Sequence, residues 1–179
     1  MLKQFISGRV YVFIDAANIL YSQQTLGWRV DYAKLKAYIE KECDLKGIFF
    51  YTGHVGDNAK QQSFLQKLRA LGYHIHSKEV KRIRTGRHTY LWKGNLDVEL
   101  SIDAVLSLSE YETLILLSGD SDFAYLLDVV KQRGRRVIVM SQRGHVSREL
   151  LERAKFIDLR RLRDEIQYTK SPPPKRGEV

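Results

Sequence analysis

The chain has 179 residues, of which 44% are hydrophobic, which is enough for one α/β domain with a buried core but too few for two full domains. Lys and Arg number 30 against 21 Asp and Glu, and the single cysteine, Cys43, excludes a disulfide framework and a zinc site of paired cysteines. The N-terminal apolar run is short and ends in a charge, so we expect no signal peptide, no membrane partner and a cytoplasmic protein.

The first half of the chain alternates apolar, β-rich runs with amphipathic stretches, which predicts α/β units and a mostly parallel sheet. The first strand, residues 9–15, has too few polar residues for an exposed strand and is predicted at the centre of the sheet. A helix follows in AANILYSQQ, and another is expected at 31–42 with Asp31 as its N-cap. The next elements in order are a strand at 45–52, a helix at 58–71 and a strand at 73–80.

The segment that follows, KRIRTGRHTYLWK at 81–93, is basic and aromatic and predicts an extended loop or hairpin. Basic side chains contact phosphates, and aromatic faces stack unpaired bases, so we predict contact with single-stranded RNA. The alternative is that the aromatic residues are ordinary core or hairpin residues. The candidate RNA-binding residues are Lys81, Arg82, Arg84, Arg87, Tyr90, Trp92 and Lys93.

The second half predicts, in order, a helix at 95–108, a strand at 112–117, the turn SGDSDF, a helix at 123–132, a strand at 135–140, a helix at 146–154 and a sixth strand at 156–159. Basic residues between 133 and 148 could form the opposite wall of a groove. The end contains three consecutive prolines and few apolar residues. We therefore predict one domain at 1–166 and a disordered Pro/basic tail at 167–179.

Aspartates follow two of the predicted buried strands. Asp15 closes the first, and Asp120 and Asp122 follow the fourth. Ligands of doubly wound sheets bind outside the carboxyl ends of the strands, so these carboxylates meet if the two strands are neighbours. Clustered carboxylates repel one another unless protonated or neutralised, and Mg²⁺ prefers oxygen ligands. The pattern indicates metal-assisted phosphodiester hydrolysis.

Helix capping is the alternative interpretation of the same residues. Asp15 could cap the first helix, and Ser121 could cap the later one with Asp122 in its first turn. Asp97 could be an N-terminal helix charge. The side chain of Asn18 could hydrogen-bond to a water ligand or a phosphate, or it could only form hydrogen bonds within its own loop.

Three motifs carry a resemblance to a known family: FIDAANIL at 13–20, KGNLDVELSIDA at 93–104 and LLSGDSDFAYLL at 116–127. Together they resemble the NYN domain of the LabA-like group, within the PIN-like nucleases. The resemblance implies a Rossmann-like (PIN-like) three-layer sandwich with a central sheet of five to six strands, a site for Mg²⁺ or Mn²⁺, and ribonuclease activity. The implied catalytic and metal-binding residues are Asp15, Asp97, Asp120 and Asp122, with Asn18, Asp103 and Ser118 in support.

The second motif departs from the family pattern K-G-x-D, because both Asn95 and Leu96 separate the glycine from Asp97. Asp97 therefore reaches the site only if the loop before its helix absorbs the extra residue. The leading hypothesis is a metal-dependent ribonuclease. The alternatives are a non-catalytic RNA-binding regulatory module and another metal-dependent phosphoesterase or DNA nuclease. A homodimer is left open.

Overall fold

The computed structural model describes residues 1–56, 58–84, 90–93 and 95–169, with the backbone alone for 81–84 and 90–93. The strands are β1 (Arg9–Asp15), β2 (Asp44–His54), β3 (His74–Glu79), β4 (Lys81–Arg84), β5 (Tyr90–Lys93), β6 (Thr113–Leu117), β7 (Arg136–Ser141) and β8 (Lys155–Asp158). The helices are α1 (Ala16–Leu26), α2 (Tyr32–Glu42), α3 (Ala59–Ala70), α4 (Asp97–Leu106), α5 (Ala124–Gln132), α6 (Arg148–Arg153) and α7 (Arg163–Ile166). Short 3₁₀ helices occur at Lys3–Phe5, Ser121–Phe123 and Leu159–Leu162.

Six strands form one parallel sheet in the order β3-β2-β1-β6-β7-β8. This confirms the predicted α/β fold and its parallel sheet. Strands β1 and β6 are neighbours, with Val10 opposite Thr113 and Ile14 opposite Leu117. The strand order reverses between these two strands, and their carboxyl ends therefore bound the crevice in which such folds bind ligands.

The two faces of β1 belong to two separate cores, because successive side chains of a strand point to opposite faces. Val10, Val12 and Ile14 are buried among residues of α1 and α2. Tyr11 and Phe13 pack on the other face, among residues of α4 and α5. Helices thus cover both faces of the central strand, as its mostly apolar sequence predicted.

Strands β4 and β5 form a two-stranded antiparallel hairpin, in which Arg82 lies opposite Trp92 and Arg84 opposite Tyr90. The predicted extended segment is therefore a hairpin, as far as its backbone is described. Arg87 lies outside the described residues. RNA contact by the side chains of this hairpin stays a prediction.

The described residues continue past the predicted boundary at 166 as far as Thr169, and the boundary itself stays a prediction. Gln167 forms a β-bridge with Val30, and the Tyr168 amide donates to the Arg29 carbonyl at 2.8 Å. Residues 170–179 lie outside the described residues, so the disorder of the tail stays a prediction. In the part of the chain that the structure describes, no helix is long and apolar enough to cross a membrane.

Candidate acidic site

A cavity of about 220 Å³ lies at the carboxyl ends of β1 and β2, beside the loop that follows β6. Its position is the edge of the sheet that the strand-end argument predicted. The lining residues include Asp15, Asn18, Tyr21, Tyr51, Gly53, Asn95, Leu96, Asp97, Leu100 and Asp120. Three of the four predicted aspartates therefore line one cavity.

Three carboxylates form the tightest acidic group in the described residues. Asp97, Asp120 and Asp122 each offer one oxygen, and these three oxygens all lie within 4.8 Å of one another. Asp97 and Asp120 are half-buried, and Asp122 is exposed. Two oxygens bonded to one Mg²⁺ are at most about 4.2 Å apart, since each bond is about 2.1 Å long. The three carboxylates are therefore close to the spacing of a shared metal shell.

Asp97 reaches the cluster despite the extra residue before it. Helix α4 begins at Asp97, with the buried Leu96 as its N-cap. The side-chain amide of Asn95, one of the two intervening residues, donates to Asp97 Oδ2 at 2.6 Å. The insertion is thus absorbed before the helix. It adds a donor that orients the carboxylate.

The environment of Asp97 disfavours its negative charge. Burial raises the pKa of Asp97 to about 6, and the charges of Asp15, Asp120 and Asp122 contribute in the same direction. The negative charges of Asp15, Asp120 and Asp122 therefore repel a negative charge on Asp97. A cation bound among them would remove that repulsion.

Both carboxylate oxygens of Asp15 accept hydrogen bonds from other groups of the protein. Its Oδ1 accepts from the amides of Ala17 and Asn18 at 3.1 and 3.2 Å, which caps α1, and its Oδ2 accepts from Ser118 Oγ at 3.0 Å. Burial raises the pKa of Asp15, although these hydrogen bonds oppose the increase. The capping interpretation of Asp15 is confirmed. Among the described residues, the three-carboxylate group does not include it.

Asp120, rather than Ser121, caps the turn after β6. Its Oδ1 accepts from the amide of Asp122 at 3.0 Å, at the start of the 3₁₀ helix Ser121–Phe123. The capping alternative for Ser121 is therefore wrong, because the turn begins one residue earlier. The same turn brings the carboxylates of Asp120 and Asp122 within reach of one cation.

Asn18 and Ser118 join the first motif to the third. The Gly119 amide donates to Asn18 Oδ1 at 2.9 Å, and the Asp120 amide donates to Ser118 Oγ at 3.2 Å. A Cβ on Gly119 would lie 1.8 Å from the carbonyl oxygen of His145, so no side chain fits at this position. Asn18 and Ser118 therefore hold in place the loop that carries Asp120 and Asp122.

Asp103 lies outside the carboxylate cluster. Its Oδ2 accepts from the hydroxyl of Tyr51 at 2.8 Å and lies 3.4 Å from His76 Nδ1. Tyr51 lines the acidic cavity, so Asp103 is hydrogen-bonded to a lining residue, and its supporting role at the site stays a prediction. Asp103 lies six positions after Asp97 in α4, a rotation of about 240° that places the two side chains on different faces of the helix.

Strand β2 also contributes to the cavity, in addition to β1 and β6, whose ends predicted the site. Tyr51 and Gly53 lie near the carboxyl end of β2, which pairs with β1, and both line the cavity. Tyr51 and Gly53 are detectable from sequence, because β2 is the other strand that pairs with β1. The sequence carries no comparable signal for Asn95, which lies in the loop before α4.

The predicted basic wall at 133–148 is divided between the two edges of the sheet. Arg135 and Arg136 lie at the amino end of β7, where they donate to the carbonyls of Leu108 and Phe5. They point away from the acidic edge, and the prediction is wrong for them. His145 follows the carboxyl end of β7 and lies 2.7 Å from Thr25 Oγ1 through its Nε2.

Comparisons with known proteins identify the family of the chain and support its fold. Residues 9–160 match the family model of the NYN domain. The chain is 31% identical over 175 residues to the low amplitude and bright protein LabA of Synechococcus elongatus, covering 95% of this chain and 94% of that protein. A crystal structure of a protein of unknown function from Vibrio parahaemolyticus superposes with a TM-score of 0.75 at 23% identity, covering 94% of this chain and 100% of that one. That structure supports the fold alone.

Proposed function

The chain belongs to the NYN domain family, and on this premise we propose that it is a Mg²⁺- or Mn²⁺-dependent ribonuclease that hydrolyses mainly single-stranded RNA. The observation that carries the proposal is the meeting of Asp97, Asp120 and Asp122, with oxygens within 4.8 Å, at the crevice between β1 and β6. Family membership supports a nuclease or RNA-related role. The acidic cluster supports the chemistry.

The donor set fits a hard divalent cation. All three side chains offer carboxylate oxygens, which Mg²⁺ and Mn²⁺ prefer over sulfur or imidazole ligands. The exposure of Asp122 leaves one side of the cluster open to water and to a phosphate group. We propose Asp97, Asp120 and Asp122 as the metal ligands.

The remaining residues position these carboxylates. Asn95 fixes Asp97 through the 2.6 Å hydrogen bond, and Asn18 fixes the loop before Asp120 through Gly119. Asp15 holds Ser118 and adds negative charge to the cavity wall. When bound, a divalent cation would stabilise negative charge on a phosphoryl oxygen and on the leaving oxygen.

The positive balance of the chain supports a polyanionic substrate. Lys and Arg exceed Asp and Glu by 30 to 21, although the site itself is acidic. Basic surfaces raise the rate at which nucleic acids are captured, and a cation at the cluster would remove the local repulsion of phosphate. Contact through the β4–β5 hairpin, a cytoplasmic location and a homodimer stay predictions.

The test is cleavage of labelled single-stranded RNA in Mg²⁺, in Mn²⁺ and in chelator. We expect metal-dependent cleavage that falls by about 100-fold or more in Asp97→Asn and Asp120→Asn, because loss even of groups that only support metal ligands costs 10- to 100-fold. Asp44→Asn is the matched control, since this exposed aspartate begins β2 at the opposite edge of the sheet and pairs with Lys46 on the surface. Cleavage that survives chelation and both cluster variants would sink the metal-nuclease assignment.

One observation favours a second candidate, a non-catalytic RNA-binding module. The oxygens of Asp15 accept hydrogen bonds from the protein itself, and Asp15 stands apart from the three-carboxylate group. Binding of RNA without cleavage in either metal would assign the chain to this class. Equal cleavage of a DNA strand of the same sequence would instead indicate a broader phosphodiesterase.

A further inference from the structure

A second, larger cavity of about 1110 Å³ adjoins the acidic crevice. The two share Ala17, Gly53 and Asn95 in their walls, so they form one continuous depression along the carboxyl ends of β1 and β2. We call the larger cavity the aromatic groove, after Trp28, Tyr32, Phe64 and Tyr168 in its lining. A chain that crosses the acidic crevice can therefore continue into it.

Two aromatic rings of the groove are accessible. Phe64 is 39% exposed and Tyr168 is 52% exposed, whereas Trp28 is only 6% exposed and forms part of the floor. Tyr32 holds Phe64 from the side, with ring centroids 5.7 Å apart and planes at 61°. The exposed ring of Phe64 is thus supported by a packed neighbour.

Side-chain amides and one guanidinium group also line the groove. The amide of Gln23 uses its Oε1 to accept from the Val30 amide at 2.7 Å, and that of Gln61 uses its Nε2 to donate to the Gly53 carbonyl at 2.8 Å. Each bond occupies one atom and orients the rest of the side-chain amide. Arg29, whose carbonyl accepts from the Tyr168 amide, adds an exposed cation.

We propose that the aromatic groove binds unpaired nucleobases of the RNA strand whose phosphate lies at the acidic cluster. This inference rests on the proposed function. Single-stranded RNA is recognised by stacking of splayed bases on aromatic rings and guanidinium planes and by hydrogen bonds to base edges, which are the groups that this groove presents. Bases within a duplex are stacked and paired, so the groove selects single strands.

The test measures binding in the presence of chelator, so that the result does not depend on turnover. Fluorescence anisotropy of a labelled single-stranded RNA is recorded with the wild-type protein and with Phe64→Ala, Tyr168→Ala and the double variant. Each alanine variant is expected to raise Kd by about 5- to 150-fold, the effect of losing one base-stacking ring. Binding of a duplex of the same length should change little.

Three control variants separate stacking from general damage. Phe64→Tyr and Tyr168→Phe keep the rings and should keep the wild-type Kd. Leu71→Ala removes an apolar side chain that is 37% exposed at the end of the same helix as Phe64, and it should also bind normally. Thermal melts of each variant confirm that it is folded.

Cleavage with Mn²⁺ is measured in parallel to separate the two proposals. Unchanged single-strand Kd in the folded alanine variants, or no binding by the wild-type protein, would overturn the base-binding groove. If the alanine variants bind single strands with unchanged Kd and the wild-type protein cleaves RNA, the proposed function stands without the base-binding groove. Loss of binding in the alanine variants of a protein that never cleaves RNA would retain the groove and reject the nuclease.

Discussion

Replacing Asp97 by asparagine should change how the stability of the protein depends on pH. In the folded protein the pKa of Asp97 is raised from 3.8 to about 6, first by burial and then by Asp15, Asp120 and Asp122. The folded state therefore binds the carboxyl proton of Asp97 more tightly than the unfolded state does. The protonated carboxyl of Asp97 contributes its full stabilisation below pH 3.8, and this stabilisation is lost as the pH rises through about 6. The asparagine side chain of the variant does not titrate, so the variant shows no such loss.

The magnitude follows from the difference between the two pKa values. Realised in full, that difference would correspond to about 3 kcal/mol. Asp97 is partly exposed, and water screens its charge, so we expect about 1 kcal/mol. The free energy of unfolding of the wild-type protein should fall by about this amount relative to Asp97→Asn between pH 4 and pH 8. At the melting temperature the same amount corresponds to about 2 to 4 °C for a domain of this size.

Urea unfolding in chelator at several pH values measures this difference. The experiment is then repeated near pH 7.5 with Mn²⁺, which should stabilise the wild-type protein by about 2.7 kcal/mol at 100 times its Kd and Asp97→Asn by much less. Asp44→Asn, at the opposite edge of the sheet, should follow the wild-type curve in both experiments.

Two results would refute this reasoning. If the free energies of unfolding of the wild-type protein and Asp97→Asn differ by a constant amount from pH 4 to pH 8, the cluster does not perturb the pKa of Asp97. Equal stabilisation of both proteins by Mn²⁺ would show that Asp97 is not a ligand.

Three further predictions concern the structure around the site and the half-buried thiol of Cys43. Gly119→Ala should lower the free energy of unfolding by about 3 kcal/mol in urea melts, because its Cβ would meet the backbone of His145 at 1.8 Å. Gly134→Ala, whose Cβ meets no described atom within 4 Å but whose φ is +74°, should cost only about 1 to 2 kcal/mol, and equal losses would contradict the steric argument. Asn18→Ala should remove about 1 kcal/mol with the hydrogen bond to Gly119 and reduce RNA cleavage, and unchanged values of both would exclude its positioning role. Burial raises the pKa of Cys43 to about 11, so iodoacetamide should label it slowly at pH 8 and quickly in urea, whereas rapid native labelling would contradict this burial.

Most of the fold could be predicted from local patterns. The mostly apolar β1 predicted burial on both faces, and the alternation of strands and helices predicted parallel pairing. Asp31 caps α2 through the amides of Ala33 and Lys34, as its position before an amphipathic run indicated. Each of these features depends on a few neighbouring residues.

The edge of the sheet that carries the site could also be predicted. Asp15 and Asp120 follow strands that pair directly, so the carboxyl-end rule placed both at one crevice. The role of each individual aspartate could not be predicted in this way. Asp15, which both strand end and motif supported, is hydrogen-bonded as a cap, whereas Asp97, which depended on an insertion, joins the cluster.

The sequence by itself determined the order of elements, the parallel sheet and the edge at which aspartates gather, because hydrophobic periodicity and strand ends are local properties. Only the tertiary structure decided which oxygens face one another. The hydrogen bond from Asn95 to Asp97 and the close approach of Gly119 to the backbone of His145 depend on the paths of loops. Those paths are set by contacts between residues distant in the chain, which no local pattern records.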